Sequence, residues 1–291
     1  MTNHWQTVTR FAPSPSGELH LGHAFSALTC YEAARSTGGR LLLRIEDIDQ
    51  GRCRPEYVQR IYDDLHWLGI EWEQPVRRQS GHFDDYRAAL ARLDELGVLY
   101  PCFCTRADIR AEIEKSPNAP HGPDGPLYPG ACRTLAAERR AAALAAGQPF
   151  ALRIDVEKAI AMAGGPLTWF DEKAGEIKAR PEQLGDAVLA RKDVPTSYHL
   201  AVTVDDHLQG VTLIIRGRDL FHATHLHRLL QALLGYRTPR YHHHDLLTDE
   251  NGQRLAKRCK SLSLKALREA GATPEDVKRM VAERPKKRLF P

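Results

Sequence analysis

Arg10-Phe-Ala-Pro-Ser-Pro-Ser-Gly-Glu-Leu-His-Leu-Gly-His23 is the stretch on which the fold turns. Thr7 to Phe11 reads as a short strand, Pro13 and Pro15 stiffen its exit, and Gly17 permits a turn. An apolar-periodic helix then starts near Leu21 and runs toward Ala34. Strand, loop and helix N-terminus in that order make a place for a nucleotide, because unpaired N–H groups and a partial positive charge at the helix start attract phosphate. Gly22 leaves room for a flat base or ribose. His20 and His23, three apart, share one helical face, which is either a packed face or one turned to a ligand.

The next apolar run, Arg40-Leu-Leu-Leu-Arg-Ile-Glu-Asp-Ile-Asp49, is a buried strand whose polar groups begin abruptly at its C-terminal end. In a doubly wound sheet ligands sit at such ends, so Glu46, Asp47 and Asp49 either face the same crevice or cap the following helix. Helical spacing marks Arg54 to Leu68 and Phe83 to Leu96, and the loop from Gln79 to Tyr86 carries no assignable chemistry. Further on, Pro195 to Asp206 reads as an apolar strand ending in acids, and Val211 to Asp219 as a β-branched strand ending in Arg216-Gly-Arg-Asp. Arg216 can pair bidentately with a carboxylate, a geometry that separates an acidic side chain from an amide, or it can pair internally with Asp219. Alternation of strand and helix predicts an α/β protein with a Rossmann-type doubly wound parallel sheet.

The character changes at Tyr100-Pro101. Cys102-Phe-Cys104, a Pro/Gly-rich loop from Pro117 to Pro129, and Cys132 bring three thiols toward one point, which suits a tetrahedral zinc clip. By ligand chemistry alone His121 is the first choice for the fourth position. Such a zinc would be structural, since nothing nearby supplies an open position and a general base. Leu135 to Ala146 is an Ala-rich helix, Phe150 to Val156 a strand, and Gly164 to Asp193 a hairpin-like region that reads as inserted between two halves of the sheet. Phe221 to Leu234 is an amphipathic helix whose His222, His225 and His227 are surface or packing residues, and Tyr241-His-His-His-Asp245 reads the same way. Turn residues and a basic knot follow from Thr248 to Arg258. The expected organisation is a catalytic core over residues 1–99 and 195–240, a zinc-containing insert over 100–194, and a basic loop with a short helical tail over 241–291.

Across 291 residues, 42% are hydrophobic and 27% charged, which excludes a disordered or fibrous chain. No apolar run is long enough for a membrane span and the N-terminus has no secretion pattern, so a cytoplasmic protein is expected. The formal charge of +4 argues little for nucleic acid by itself, but the basic clusters Arg254 to Lys260 and Arg284 to Arg288 could meet phosphates. Six cysteines, three isolated and three close together, suit a reducing compartment with one metal site.

The opening string, Arg-Phe-Ala-Pro-Ser-Pro-Ser-Gly followed by His-Leu-Gly-His, closely resembles that of the glutamyl-tRNA synthetases, a class I family whose His-Ile-Gly-His element grips ATP; Leu21 stands for the isoleucine. Arg44-Ile-Glu-Asp-Ile-Asp49 is similar to the family's second element. Arg254-Leu-Ala-Lys-Arg258 resembles its Lys-Leu-Ser-Lys-Arg signature, with Ala256 in place of a serine hydroxyl. The resemblance implies that His20, Gly22, His23 and Lys257 meet ATP, with Mg²⁺ on the nucleotide, and that His20, His23 and Lys257 serve catalysis. It further implies that Arg10, Ser14, Glu46, Tyr198 and Arg216 hold L-glutamate, Glu46 by its amino group. Cys102, Cys104, Tyr128 and Cys132 become the zinc ligands. The expected intermediate is glutamyl adenylate. The chain also lacks the length for an anticodon-binding domain, and with its Cys-x-Cys and Tyr-x₃-Cys insert it resembles the short branch of the family. That branch activates glutamate without tRNA and transfers it to the cyclopentene-diol of queuosine at the wobble position of tRNA(Asp); a monomer is expected.

Overall fold

The computed structural model describes residues 6–115, 121–123, 125–248, 263–284 and 286–287. The first half is a parallel three-stranded unit. β1 (Val8–Phe11) pairs with β2 (Arg40–Ile45), and β2 with β3 (Glu73–Arg78), through the crossover helices α1 (Leu21–Ser36) and α2 (Pro55–Trp67). Alternation along β2 turns Leu41 and Leu43 toward α1 and α2, and Leu42 to the opposite face. β3 went unread in the sequence. Its residues, Glu-Gln-Pro-Val-Arg-Arg, are polar because it is the edge strand of its sheet and none of its side chains is buried.

After α3 (Phe83–Glu95), the chain leaves the core. β4 (Leu99–Cys102), β7 (Ala151–Ile154) and β10 (Val188–Ala190) form an antiparallel sheet. It is accompanied by α4 (Arg106–Lys115), the two-residue ladder of β5 (His121–Gly122) with β6 (Gly125–Pro126), α5 (Ala137–Ala145) and α6 (Val156–Met162). The hairpin β8 (Thr168–Asp171) and β9 (Gly175–Lys178) belongs to a different sheet, described below.

α7 (Tyr198–Leu208) is a helix where the sequence reads as a strand. Leu200 through Asp206 are all buried, so no polar stripe interrupts the apolar run, and a helix buried on all sides cannot be told from a strand by periodicity. β11 (Leu213–Gly217) then enters beside β1, where Thr212 N–H donates to the Val8 carbonyl at 2.9 Å. α8 (Ala223–Leu233) leads to β12 (Arg240–His244), which is parallel to β11 and pairs on its other side with β8. Strand order therefore runs outward in both directions from the β1/β11 boundary, which is the switch point of a doubly wound sheet. The chain closes with β13 (Leu246–Leu247), α9 (Leu264–Glu269), α10 (Pro274–Glu283) and β14 (Lys286–Lys287), which pairs with β13.

Apolar residues of α1, α2 and α10 cover one face, joining Leu41, Leu43, Leu213 and Ile215. On the other side of the molecule α3, α6, α7 and α8 pack together through Leu93, Leu200, Val204 and Leu226. Among the described residues no helix is long and apolar enough to cross a membrane.

Candidate active site

The carboxyl ends of β1, β2, β11 and β12 lie at one edge of the parallel strands, where an open α/β sheet has its ligand crevice, and the loop from Ala12 to Leu19 continues from β1 there. Glu46 N–H donates to the Pro13 carbonyl at 3.0 Å, which ties the end of β2 to that loop. His20 is the N-cap of α1 and not part of its face: its Nδ1 accepts from Gly22 N–H at 3.1 Å, and His23 Nδ1 accepts from His20 N–H at 3.2 Å. Each neutral ring with an accepting Nδ1 carries its proton on Nε2, so the capping box sets both tautomers. The two rings lie 3.9 Å apart. The space beside Gly22 is taken by His20: a Cβ there would stand 2.9 Å from His20 Cε1. Ser263, the N-cap of α9, bridges His20, and Leu264 N–H donates to the Leu19 carbonyl at 2.9 Å. The tail is thus pinned to the start of α1. Lys257 lies outside the described residues.

Three buried arginines stand on these strands. Arg10, at the centre of β1, donates from Nε to Asp206 Oδ1 (2.9 Å) and from Nη1 to the Ile215 carbonyl (3.2 Å). Arg44, fully buried in β2, donates to Asp206 (2.8 Å), Gln209 (3.0 Å) and Glu46 (3.2 Å). Burial alone would raise the Asp206 carboxyl, but Arg10 and Arg44 outweigh it and hold it below its ordinary value. For Glu46 burial wins over the same two arginines and its carboxyl is raised. Asp205, also buried, accepts from Arg77 Nε (2.7 Å), Gln79 Nε2 (2.8 Å) and Tyr86 Oη (2.9 Å). Gln79 therefore has a task that its loop did not advertise. Arg44, Asp205 and Asp206 are absent from the sequence-based site. A lone arginine inside an apolar strand is the signal that could have found them, because its charge needs a buried partner.

Arg216, at the end of β11, is different. Among the described residues it meets no carboxylate within ion-pair distance. Its Nε–H donates to His243 Nε2 (3.1 Å) and its Nη2–H to Thr224 Oγ1 (2.6 Å), while Nη1 lies 3.3 Å from His227 Nδ1 and 3.5 Å from Tyr198 Oη. His227 Nε2 in turn meets His199 Nδ1 at 3.1 Å. Burial, and then the charge of Arg216, lowers His199 to about 4 and His227 well below 6.5. Burial is also the main cause that brings His243 to about 3. All three rings are neutral at pH 7, so His227 and His243 hold the guanidinium without cancelling its charge. His225, His227, His243 and His244 are indeed packing residues, but none is at the surface. Two of them are partners of Arg216, because the parallel register sets Arg216 opposite His243 and α8 brings His227 over the strand.

The structure thus brings Tyr198 and Arg216 together. Tyr198, at the start of α7, is raised by burial, with Arg216, Glu46 and Arg10 all acting on its phenol. Ser14 sits exposed on the loop, its Oγ 4.0 Å from Cys53 Sγ.

Away from the crevice, Cys102, Cys104 and Cys132 place their sulfurs within 4.8 Å of one another, a group that could hold a metal ion. Tyr128 Oη lies 3.4 Å from Cys102 Sγ and 3.6 Å from Cys104 Sγ, and the latter is 3.3 Å from Cys132 Sγ. Metal–sulfur bonds of about 2.3 Å in a tetrahedron require sulfurs about 3.8 Å apart, so the donor set fits with shifts of no more than about 1 Å. Burial raises the Cys132 thiol, but hydrogen bonds from Tyr128, Cys104 and two backbone N–H groups outweigh it and bring it to about 7. Arg153 stacks over the Tyr128 ring at 3.9 Å. The side chain of His121 lies outside the described part of the molecule.

The family model for the catalytic domain of class I tRNA synthetases (E and Q) matches residues 6–285. The chain is 48% identical over 279 residues to the glutamyl-Q tRNA(Asp) synthetase of Rhodobacter capsulatus, covering 94% of this chain and 99% of that protein. It is 43% identical to the protein of the same name from Symbiobacterium thermophilum, over 92% of this chain and 83% of that one. Among solved structures, a glutamate-tRNA synthetase from Elizabethkingia anophelis superposes with a TM-score of 0.80 at 28% identity, over 96% of this chain and 61% of that longer chain.

Proposed function

The chain belongs to the family of class I tRNA synthetase catalytic domains for glutamate and glutamine, and from that premise we propose that it activates L-glutamate with ATP and transfers it to queuosine in tRNA(Asp). The observation that carries the amino-acid assignment is Arg216, a buried guanidinium whose side-chain partners among the described residues are all neutral. An unneutralised cation in a crevice selects an anion, and its planar fork suits a carboxylate. Tyr198 borders it, Arg10 stands on the neighbouring strand β1 with its Nη1 on the Ile215 carbonyl, Glu46 follows the end of β2, and Ser14 edges the loop. Glu46 is the carboxylate that receives the substrate ammonium.

Activation joins the α-carboxylate of glutamate to the α-phosphorus of ATP as pyrophosphate leaves, and negative charge gathers on phosphate oxygens. Its stabilisation is electrostatic. Oriented Nε2–H groups of His20 and His23 serve that charge, together with the N-terminus of α1, Gly22 and the ammonium of Lys257; Mg²⁺ on the nucleotide adds positive charge to the same oxygens. In the second step a hydroxyl of the queuosine diol attacks the adenylate carbonyl and AMP leaves. Zinc is the metal that suits Cys102, Cys104, Cys132 and the oxygen of Tyr128, and with four protein ligands it closes a structural site.

Transfer of labelled glutamate to tRNA(Asp) with and without queuosine tests the reading. Label is expected only on the queuosine-containing RNA. Equal labelling of both would point instead to charging of the acceptor end and overturn the acceptor assignment.

A further inference from the structure

The contacts behind Arg216 carry a consequence for specificity. His243 Nε2 can accept from Arg216 Nε–H only if the imidazole proton sits on Nδ1, and Nδ1 lies 2.8 Å from Asp171 Oδ2. Asp171 is itself clamped: Oδ2 also accepts from His243 N–H (3.1 Å), and Oδ1 accepts from the N–H groups of Lys173 (2.9 Å) and Ala174 (3.1 Å). Every group aimed at this buried carboxylate is a donor. Thr224 Oγ1 accepts from Arg216 Nη2 and lies 3.3 Å from His243 Nε2, so its own proton has the same lone pair to go to. The hairpin strand β8 thereby fixes a tautomer on β12, and that tautomer fixes the guanidinium on β11.

We propose that Asp171 and His243 are positioning residues that orient Arg216 and so set the preference for an acidic amino acid, an inference that rests on Arg216 being the clamp for the glutamate side chain. Neither residue touches the substrate. What they supply is one acceptor at a fixed place, without a negative charge next to Arg216.

Asp171→Asn is the discriminating change. An amide must turn its NH₂ either to the two backbone N–H groups of Lys173 and Ala174 or to the backbone N–H and ring of His243, and only on the His243 side can one of the two opposing donors, the ring, move its proton away. There it donates to Nδ1, drives the proton to Nε2, and sets that N–H against Arg216 Nε–H. The expected result is an inverted nitrogen-15 pattern for the His243 ring, and a KM for glutamate in ATP–pyrophosphate exchange raised roughly ten- to hundredfold with kcat much less affected. In a His243→Gln background the amide oxygen offers Arg216 an acceptor with no tautomer to choose, so adding Asp171→Asn should move the KM less than about twofold. An unchanged His243 tautomer, or the same KM penalty in both backgrounds, overturns the inference. If Asp171→Asn does not fold, His243→Leu against His243→Gln decides: a raised KM in the first alone supports the role, and equal values refute it. Failure of the clamp itself would appear separately, as glutamate preference surviving in Arg216→Ala, and would leave the ring spectrum as it is.

Discussion

Replacing Arg216 by alanine removes the one crevice arginine that no carboxylate offsets among the described residues. In the variant the side-chain carboxylate of bound glutamate faces Tyr198, Thr224 and His227, all neutral, in a place where Arg216 itself is 5% exposed. Leaving one charge of a buried pair without its partner costs about 3–5 kcal/mol. At about 1.4 kcal/mol per factor of ten, kcat/KM for glutamate in ATP–pyrophosphate exchange should fall by roughly two to four orders of magnitude. Glutamine carries no charge to strand, so its much poorer exchange should fall far less, and the ratio between the two substrates should collapse. Because the pair is desolvated, moderate salt should not mimic the effect. Parallel losses for both amino acids, or a glutamate preference that survives, would refute the clamp and the charge argument beneath it.

Other consequences are as direct. Gly22→Ala places a Cβ 2.9 Å from His20 Cε1 and must displace that ring, so the activation rate should drop about ten- to hundredfold while the KM for glutamate stays near its parent value; rapid-quench measurement of adenylate formation reads this. Tyr128→Phe removes the oxygen of the proposed zinc set, and the variant should surrender its metal to a chelator that leaves the parent loaded, as metal analysis after dialysis will tell. Asp64 on α2 is buried, and among the described residues neither carboxylate oxygen is hydrogen-bonded and the ion-pair partner is Arg268 at 3.6 Å; burial raises it from 3.8 to about 6. A folded value above the unfolded one means stability that is present at low pH and lost as pH rises through about 6, to a total of about 3 kcal/mol. Asp64→Asn should therefore melt at a higher temperature than the parent at pH 8 and at nearly the same temperature at pH 4, and a gain that does not vary with pH would dismiss the titration argument.

Residue order alone determined the elements whose chemistry is local. The turn between β1 and α1 follows from two prolines and a glycine close in the chain, and the cysteine clip was suggested by residue type and grouping although Cys132 stands 28 residues past Cys104. The strand, loop and helix start that the sequence offers to a nucleotide are legible for the same reason. The amino-acid side was only half legible. Tyr198 and Arg216 were singled out, but Tyr198 was assigned to a strand, since a helix buried on every side has no polar stripe to betray its period. β3 was missed in the opposite sense, its polar edge position hiding a strand. Which groups surround Arg216 could not be read at all. Asp171, Thr224, His227 and His243 come from three separate elements, and nothing in their spacing foretells that parallel pairing sets Arg216 beside His243 and Tyr241 beside Asp171. Only the closed sheet decided that histidines which look idle along the chain would be neutral acceptors around one buried cation, because burial lowers their proton affinity only after the strands and α8 have excluded water.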